Sequence, residues 1–279
     1  MLDLTTIAGL PLGLDDAGHL VFGPDVVVDE SKERLVEELV PVAMEPAACR
    51  GNREVAYYMA NGVYRQGDAG RLAGLPFRYE LTLIPERRMG REYVKTFGHI
   101  HTLEPQSGMA WCEVCEVLVG TAHFIYQTLD PSEPGATLVY YVEARAGEKV
   151  LVPPDLDHAT INPGPGPLLF SDVVALGMGG IYDRFRATQG AAYYEVAEGG
   201  QPRFVANPRY RRVPPLCQVA VRDYPALDLM RDEPLYTAFV RGRAEKWGFL
   251  ADPRLFATAF PDLEIGPISH KEHKRHKGI

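Results

Sequence analysis

Between residues 53 and about 195 the chain is a succession of short runs rich in Val, Tyr, Thr and Leu, each closed by Gly or Pro. Nine runs stand out: Val55–Tyr64, Phe77–Ile84, Gly98–Thr102, Cys112–Val119, Ala122–Thr128, Thr137–Glu143, Lys149–Val152, Ala159–Ile161 and Leu168–Leu176. β-Branched and aromatic residues suit a pleated, half-buried surface, and Gly and Pro interrupt it. Short strands at this spacing, with turns between them, predict an all-β core of the sandwich or barrel type and exclude repeated βαβ units.

The flanks have a different texture. Residues 1–30 are punctuated by Gly and Asp and read as an irregular lead-in. Over 31–44, Leu35, Val36, Leu39 and Val40 recur at helical spacing behind Ser31, which predicts a short helix. Asn207-Pro208 and Pro214-Pro215 mark loops, and Leu235–Phe249 reads as helical. The end carries Lys271, Lys274, Arg275 and Lys277 among His270, His273 and His276, the pattern of a solvent-facing tail. The expected organisation is an N-terminal extension over 1–50, a β domain over 51–210 and a partly helical C-terminal extension over 211–279. The net charge of −8 lacks the basic footprint of a nucleic-acid binder. Four cysteines in 279 residues are too few for a disulfide scaffold and fit a reducing, cytoplasmic setting. The first residues have no basic n-region or clean apolar h-region, so no signal peptide is expected. No apolar run approaches the roughly 20 residues of a membrane helix.

Gly98-His99-Ile100-His101 places two imidazoles two residues apart, on one face of a strand. Two such side chains can grip one divalent metal ion. In the run after it, Glu113, Cys115 and Val117 share one face, and Cys112 and Glu116 the other. A carboxylate inside an apolar strand needs a partner, and a metal supplies one. Glu116 competes with Glu113 as ligand but fits less well by parity. His158 follows Pro153-Pro154 at the start of a later strand. Cys112 and Cys115 spell CxxC, but on a strand they point apart and no second pair exists, against a zinc knuckle. His123, standing alone, reads as an ordinary satisfied or exposed side chain.

Two sets of residues resemble the signature motifs of the cupin superfamily: His99, His101, Glu113 and Gly120, then Gly147, Pro153, His158 and Asn162. A narrower pattern adds Thr82, Pro85, Gly90, Glu92, Thr96 and Gly98 ahead of the histidines, Tyr182 beyond the last strand, and Asn207-Pro208-Arg209-Tyr210. Over roughly residues 50–210 the chain resembles the cupin-type phosphoglucose isomerases. That resemblance implies a cupin double-stranded β-helix barrel with an N-terminal helix/strand extension and a C-terminal helical extension. It implies three histidines (His99, His101, His158) and Glu113 around one divalent ion (Fe, Mn, Ni or Zn). The implied reaction interconverts glucose 6-phosphate and fructose 6-phosphate.

Glu113 is implied nearest the chemistry, as a general base or as an orienting ligand, with Tyr182 hydrogen-bonding the substrate. Thr82, Thr96 and the Gly98 N–H are expected at the phosphate, with Lys95 or Arg91 as the nearby cations. The expected partners are a sugar-phosphate substrate and a second copy in a homodimer, with neither nucleic acid nor membrane. Two departures bear on the sugar. Cys115 stands where the family has Tyr, and Asp155 where its members often have another Tyr; both are expected to line the substrate cavity. They favour, as alternatives, an isomerase or epimerase of another sugar or sugar phosphate, or a non-catalytic sugar-binding module.

Overall fold

The β-rich stretch folds as two main sheets that share a core. The structure, a computed structural model, describes residues 1–130, 135–261 and 263. The larger sheet has six strands, all antiparallel to their neighbours. Their order is Lys149–Val152, Glu113–Val119, Leu168–Ala175, Phe77–Ile84, Val55–Arg65 and Val26–Leu35. The second sheet runs Asp157–Ile161, Thr121–Leu129, Ala136–Arg145 and Cys217–Val219, the last strand parallel to its neighbour. One core cluster draws Val117, Val150 and Phe170 from the first sheet and Phe124, Tyr126 and Ile161 from the second. The Phe124 and Phe170 rings meet across it, edge to face, at 5.7 Å.

The outer face of the six-stranded sheet is covered as well. Leu81, Val114, Leu118 and Leu169 pack with Leu10 and Leu12 of the N-terminal residues and with Phe239, Trp247, Phe249 and Phe260. Burial on both faces explains why Leu168–Ala175 is buried at all eight positions and shows no polar alternation. The covering C-terminal segment is a chain of short pieces, with helices Leu235–Arg241 and Gly248–Ala251 and the 3-10 turn Ala244–Trp247 between them. The single helix expected over Leu235–Phe249 is therefore broken, with Gly242 at its first end and Gly248 opening the next piece.

The helix expected over 31–44 is absent. Residues Val26–Leu35 are instead the edge strand of the large sheet, paired from Val26 opposite Arg65 to Leu35 opposite Val55. A 3-10 helix, Val36–Val42, follows, and its buried residues Val36, Leu39 and Val42 stand three apart. Sheet hydrogen bonds offered by Val55–Arg65 outweigh a helical pattern only two turns long, and Pro41 closes it. The lead-in over 1–30 also carries structure, with short strands Leu2–Asp3, Leu12–Leu14 and Leu20–Phe22 in a sheet of their own. The hairpin of Tyr193–Glu198 and Gln201–Ala206 was not among the expected strands. The basic His/Lys tail, 270–277, lies outside the described residues. No helix among the described residues is long and apolar enough to cross a membrane.

Candidate metal centre

The segment around His99 is stitched into the second sheet by its backbone. Thr96 N–H donates to the Thr160 carbonyl at 2.8 Å, and His99 and His158 exchange a pair of backbone bonds at 3.0 and 2.9 Å. His101 pairs in register with Gly180 on the other side. Period-two alternation then sends His99 and His101 the same way, toward His158. The three rings lie 5.1, 4.5 and 4.7 Å apart, centroid to centroid. One ring nitrogen from each lies within 4.8 Å of the other two, a group able to hold a metal ion.

Second contacts orient these rings. His101 Nδ1 is 2.8 Å from the Trp111 carbonyl, and His158 Nδ1 is 3.3 Å from that of Leu156. A carbonyl only accepts, so each Nδ1 carries the proton and each Nε2 presents a lone pair. The His101 Nε2 is buried and makes no hydrogen bond. Glu113, brought in by the Glu113–Val119 strand, sets Oε2 3.1 Å from that nitrogen and 4.0 Å from His158 Nε2. Its Oε1 accepts from the Cys115 thiol at 3.0 Å. The donor set, neutral imidazoles beside one carboxylate, suits a first-row divalent ion. Glu116 faces away and is bonded to Lys149, as strand parity requires.

Burial works against the Glu113 charge, but the imidazoles of His101 and His158 beside it outweigh that effect, holding the carboxyl below its usual range. Burial, reinforced by His101, pushes His158 down to about 4, and burial with its two histidine neighbours pushes His99 well below normal. The unfolded chain takes up these protons near pH 6.5 while the native state refuses them. The metal-free protein is therefore expected to lose stability as pH falls from about 6.5 toward 4. The slope is up to about 1.4 kcal/mol per pH unit for each histidine. Urea titrations across that window check this, and His158→Gln should flatten the slope; an unchanged slope would assign the loss to other groups.

The remaining expected residues separate into two groups. Tyr182 stands at the centre, its ring 5.5 Å from that of His99. A Cβ on Gly180 would lie 3.0 Å from both the Tyr182 hydroxyl oxygen and His99 Cδ2, so phenol and imidazole flank one spot. Cys115 is buried against Glu113. Thr82 is buried opposite Met59 and Phe170. Thr96 spends its hydroxyl as acceptor of the Thr160 N–H at 3.0 Å. Gly98, at φ +81°, is needed for a different close approach than the one expected. A Cβ there would stand 2.4 Å from Phe185. Asp155 is exposed at φ +63°, and its carboxylate accepts from the Ala110 N–H at 2.7 Å, committing it to the 103–110 turn. Lys95 is buried in an ion pair with Glu92, and Arg91 pairs with Glu45.

Two arginines that the motifs did not single out stand at the site. The Arg34 guanidinium carbon lies 5.7 Å from the Phe97 ring centre and 6.0 Å from that of Tyr182. For Arg186 the distances are 5.2 and 5.9 Å. Arg34 Nε is buried without a partner. Arg186 follows Tyr182 by one turn of the helix Asp183–Ala187, an element the sequence analysis did not expect. Arg34 was hidden by the helix expected around it.

The family model described as glucose-6-phosphate isomerase (GPI) matches residues 33–211, well over half of the chain. The chain belongs to this family. The family stretch starts ahead of the motifs and takes in Arg34 together with His99, His101, Glu113, His158, Tyr182 and Arg186. The glucose-6-phosphate isomerase of Pyrococcus abyssi is 28% identical over 139 residues, 48% of this chain and 64% of that protein. That of Pyrococcus horikoshii is 26% identical over 189 residues, 66% of this chain and 80% of that protein. The chain thus spans just under two thirds of the first relative. A solved oxalate oxidase with bound glycolate aligns at 16% identity over 45% of this chain and 55% of that one, with a TM-score of 0.31.

Proposed function

We propose that the protein interconverts glucose 6-phosphate and fructose 6-phosphate at a divalent metal ion (Fe, Mn, Ni or Zn) held by His99, His101, His158 and Glu113. The two facing sheets are read as a cupin double-stranded β-helix barrel enclosing that ion. The observation that carries the proposal is the buried histidine trio with a carboxylate against two of its members, in a chain of the glucose-6-phosphate isomerase family. When bound, the ion polarises the substrate's C1 and C2 oxygens as a Lewis acid.

The chain's own groups supply the rest. Glu113, kept anionic by its histidine neighbours, is placed to take a proton from one of these carbons and return it to the other. The Cys115 thiol, donating to Oε1, holds the carboxylate in one orientation. Tyr182 and Phe97 meet edge to face, and Arg34 and Arg186, beside these rings, would offer two guanidiniums to the phosphate. Incubation with fructose 6-phosphate and Mn²⁺, Fe²⁺ or Ni²⁺ should yield glucose 6-phosphate; no product with any of these ions overturns the proposal. Arg186→Ala is expected to raise KM for the sugar phosphate about tenfold with kcat nearly unchanged, as loss of uniform binding does. Steady-state kinetics check this.

A second reading, isomerisation or epimerisation of a different sugar phosphate, is favoured by Cys115, whose thiol is committed to Glu113 and not to substrate. A sugar-phosphate panel separates the two.

A further inference from the structure

Three buried polar atoms near Glu113 make no hydrogen bond: His101 Nε2, the Tyr126 hydroxyl and Asp172 Oδ1. The metal proposal uses the first. Nothing described so far uses the other two. Buried polar groups are nearly always paired, so two orphans in one place ask for an explanation.

Both belong to the inner face of the molecule. Asp172 stands directly opposite Cys115 on one neighbouring strand and Glu80 on the other. Cross-strand partners share a face, so Asp172 lies on the same side as Cys115 and Glu113. Its own strand agrees: Leu168 and Phe170 belong to the inner core, Leu169 and Val173 to the outer one. Glu80 is paired with Arg78; Asp172 is 5% exposed and keeps one oxygen free. Tyr126 comes from the opposite sheet, in register with His158. Its ring stacks on Tyr140 at 4.8 Å and leans on His158 at 6.3 Å. Held this way, the hydroxyl cannot swing to another partner.

We infer that Tyr126 and Asp172 contact the substrate and read the hydroxyls of the sugar chain beyond the two reacting carbons. A phenol donates and accepts, a carboxyl oxygen accepts, and a polyol chain offers both complements. A sugar with a hydroxyl correctly placed satisfies both orphans. One that lacks or inverts it leaves them unpaired in a dry site, which is the most discriminating arrangement available to a binding pocket. The two residues thus decide which sugar is accepted. The identity of the ligand class rests on the isomerase proposal; the position of the two residues does not.

The test uses metal-loaded full-length protein and two readouts: turnover of hexose 6-phosphates differing in configuration at C3 and C4, and calorimetric binding of glucitol 6-phosphate and its 3- and 4-deoxy analogues. Tyr126→Phe and Asp172→Asn preserve volume, and their metal content and melting temperature are measured alongside. Each variant is expected to lose about tenfold or more in kcat/KM and in affinity for glucitol 6-phosphate, with metal content unchanged. Against one deoxy analogue each variant should match wild type. Wild-type turnover with both variants indistinguishable from it overturns the inference, as does a loss equal for every ligand. If wild type binds glucitol 6-phosphate with this same dependence but turns over nothing, the isomerase proposal falls and the inference stands. If wild type neither turns over nor binds, both fall.

Discussion

His101→Ala is expected to lower divalent-metal affinity at least about 100-fold and to take the proposed isomerase activity to background. Changing a residue that merely supports a metal ligand already costs 10–100-fold, and His101 is placed to be a ligand itself. It is the most constrained of the three histidines. Its Nδ1 is anchored on the Trp111 carbonyl, its Nε2 is a buried orphan, and Glu113 Oε2 is 3.1 Å away. Removing it also takes away an imidazole that helps hold Glu113 anionic, so loss of metal and loss of the proposed base arrive together. Metal analysis and calorimetric titration of the variant provide the check. His19→Ala is the matched control, because His19 is exposed and its Nδ1 pairs with nearby Asp15. Undiminished metal affinity in His101→Ala would place the ion elsewhere.

Lys149→Met is expected to destabilise the fold by about 3–5 kcal/mol, the usual cost of breaking a buried ion pair from one side. The Lys149 ammonium donates to Glu116 Oε1 at 2.7 Å, and both side chains are 1% exposed. It also donates to the carbonyls of Gly147 and Glu233, while Glu116 Oε2 accepts the Leu235 N–H at 2.7 Å. The pair therefore clamps the start of the C-terminal segment to the large sheet. Burial already pushes Glu116 up to about 7 against the pull of Lys149; without the lysine it rises further. A carboxyl raised above its unfolded value binds a proton the unfolded chain has released, so its stability contribution is lost as pH rises. The deficit in Lys149→Met is accordingly larger at pH 8 than at pH 5. Urea unfolding at the two pH values measures it. Glu116→Leu added to Lys149→Met should restore much of the loss, since it removes the stranded charge. Equal deficits at both pH values would show that the charge is not what matters.

Legibility followed the range of the interaction. His99, His101 and Glu113 were readable because strand periodicity alone assigns faces, and Cys115 and Glu116 fell on opposite sides for the same reason. The runs Phe77–Ile84 and Lys149–Val152 match the observed strands end to end. Residues 31–44 failed because apolar spacing in so short a stretch suits a helix or a strand followed by a 3-10 turn, and a distant strand, Val55–Arg65, made the choice. With that error went Arg34. Gly98 was recognised as a place of close approach, but only the packed Asp183–Ala187 helix shows that the neighbour is Phe185.

By itself the sequence determined that this is a β-rich chain whose three histidines and one carboxylate are spaced for one metal. Alternation and turn chemistry, which act over a few residues, set the strands and the shared face of His99 and His101, and the resemblance to the cupin motifs joined Glu113 and His158 to them. The tertiary structure decided what surrounds those side chains. Arg34 and Arg186 beside the Phe97 and Tyr182 rings, Tyr126 and Asp172 on the inner faces of the sheets, and the bond of Asp155 to the 103–110 turn all depend on strand register and on which sheet faces which. Such contacts join residues far apart in the chain, and their free energies depend on burial and geometry that no local pattern encodes.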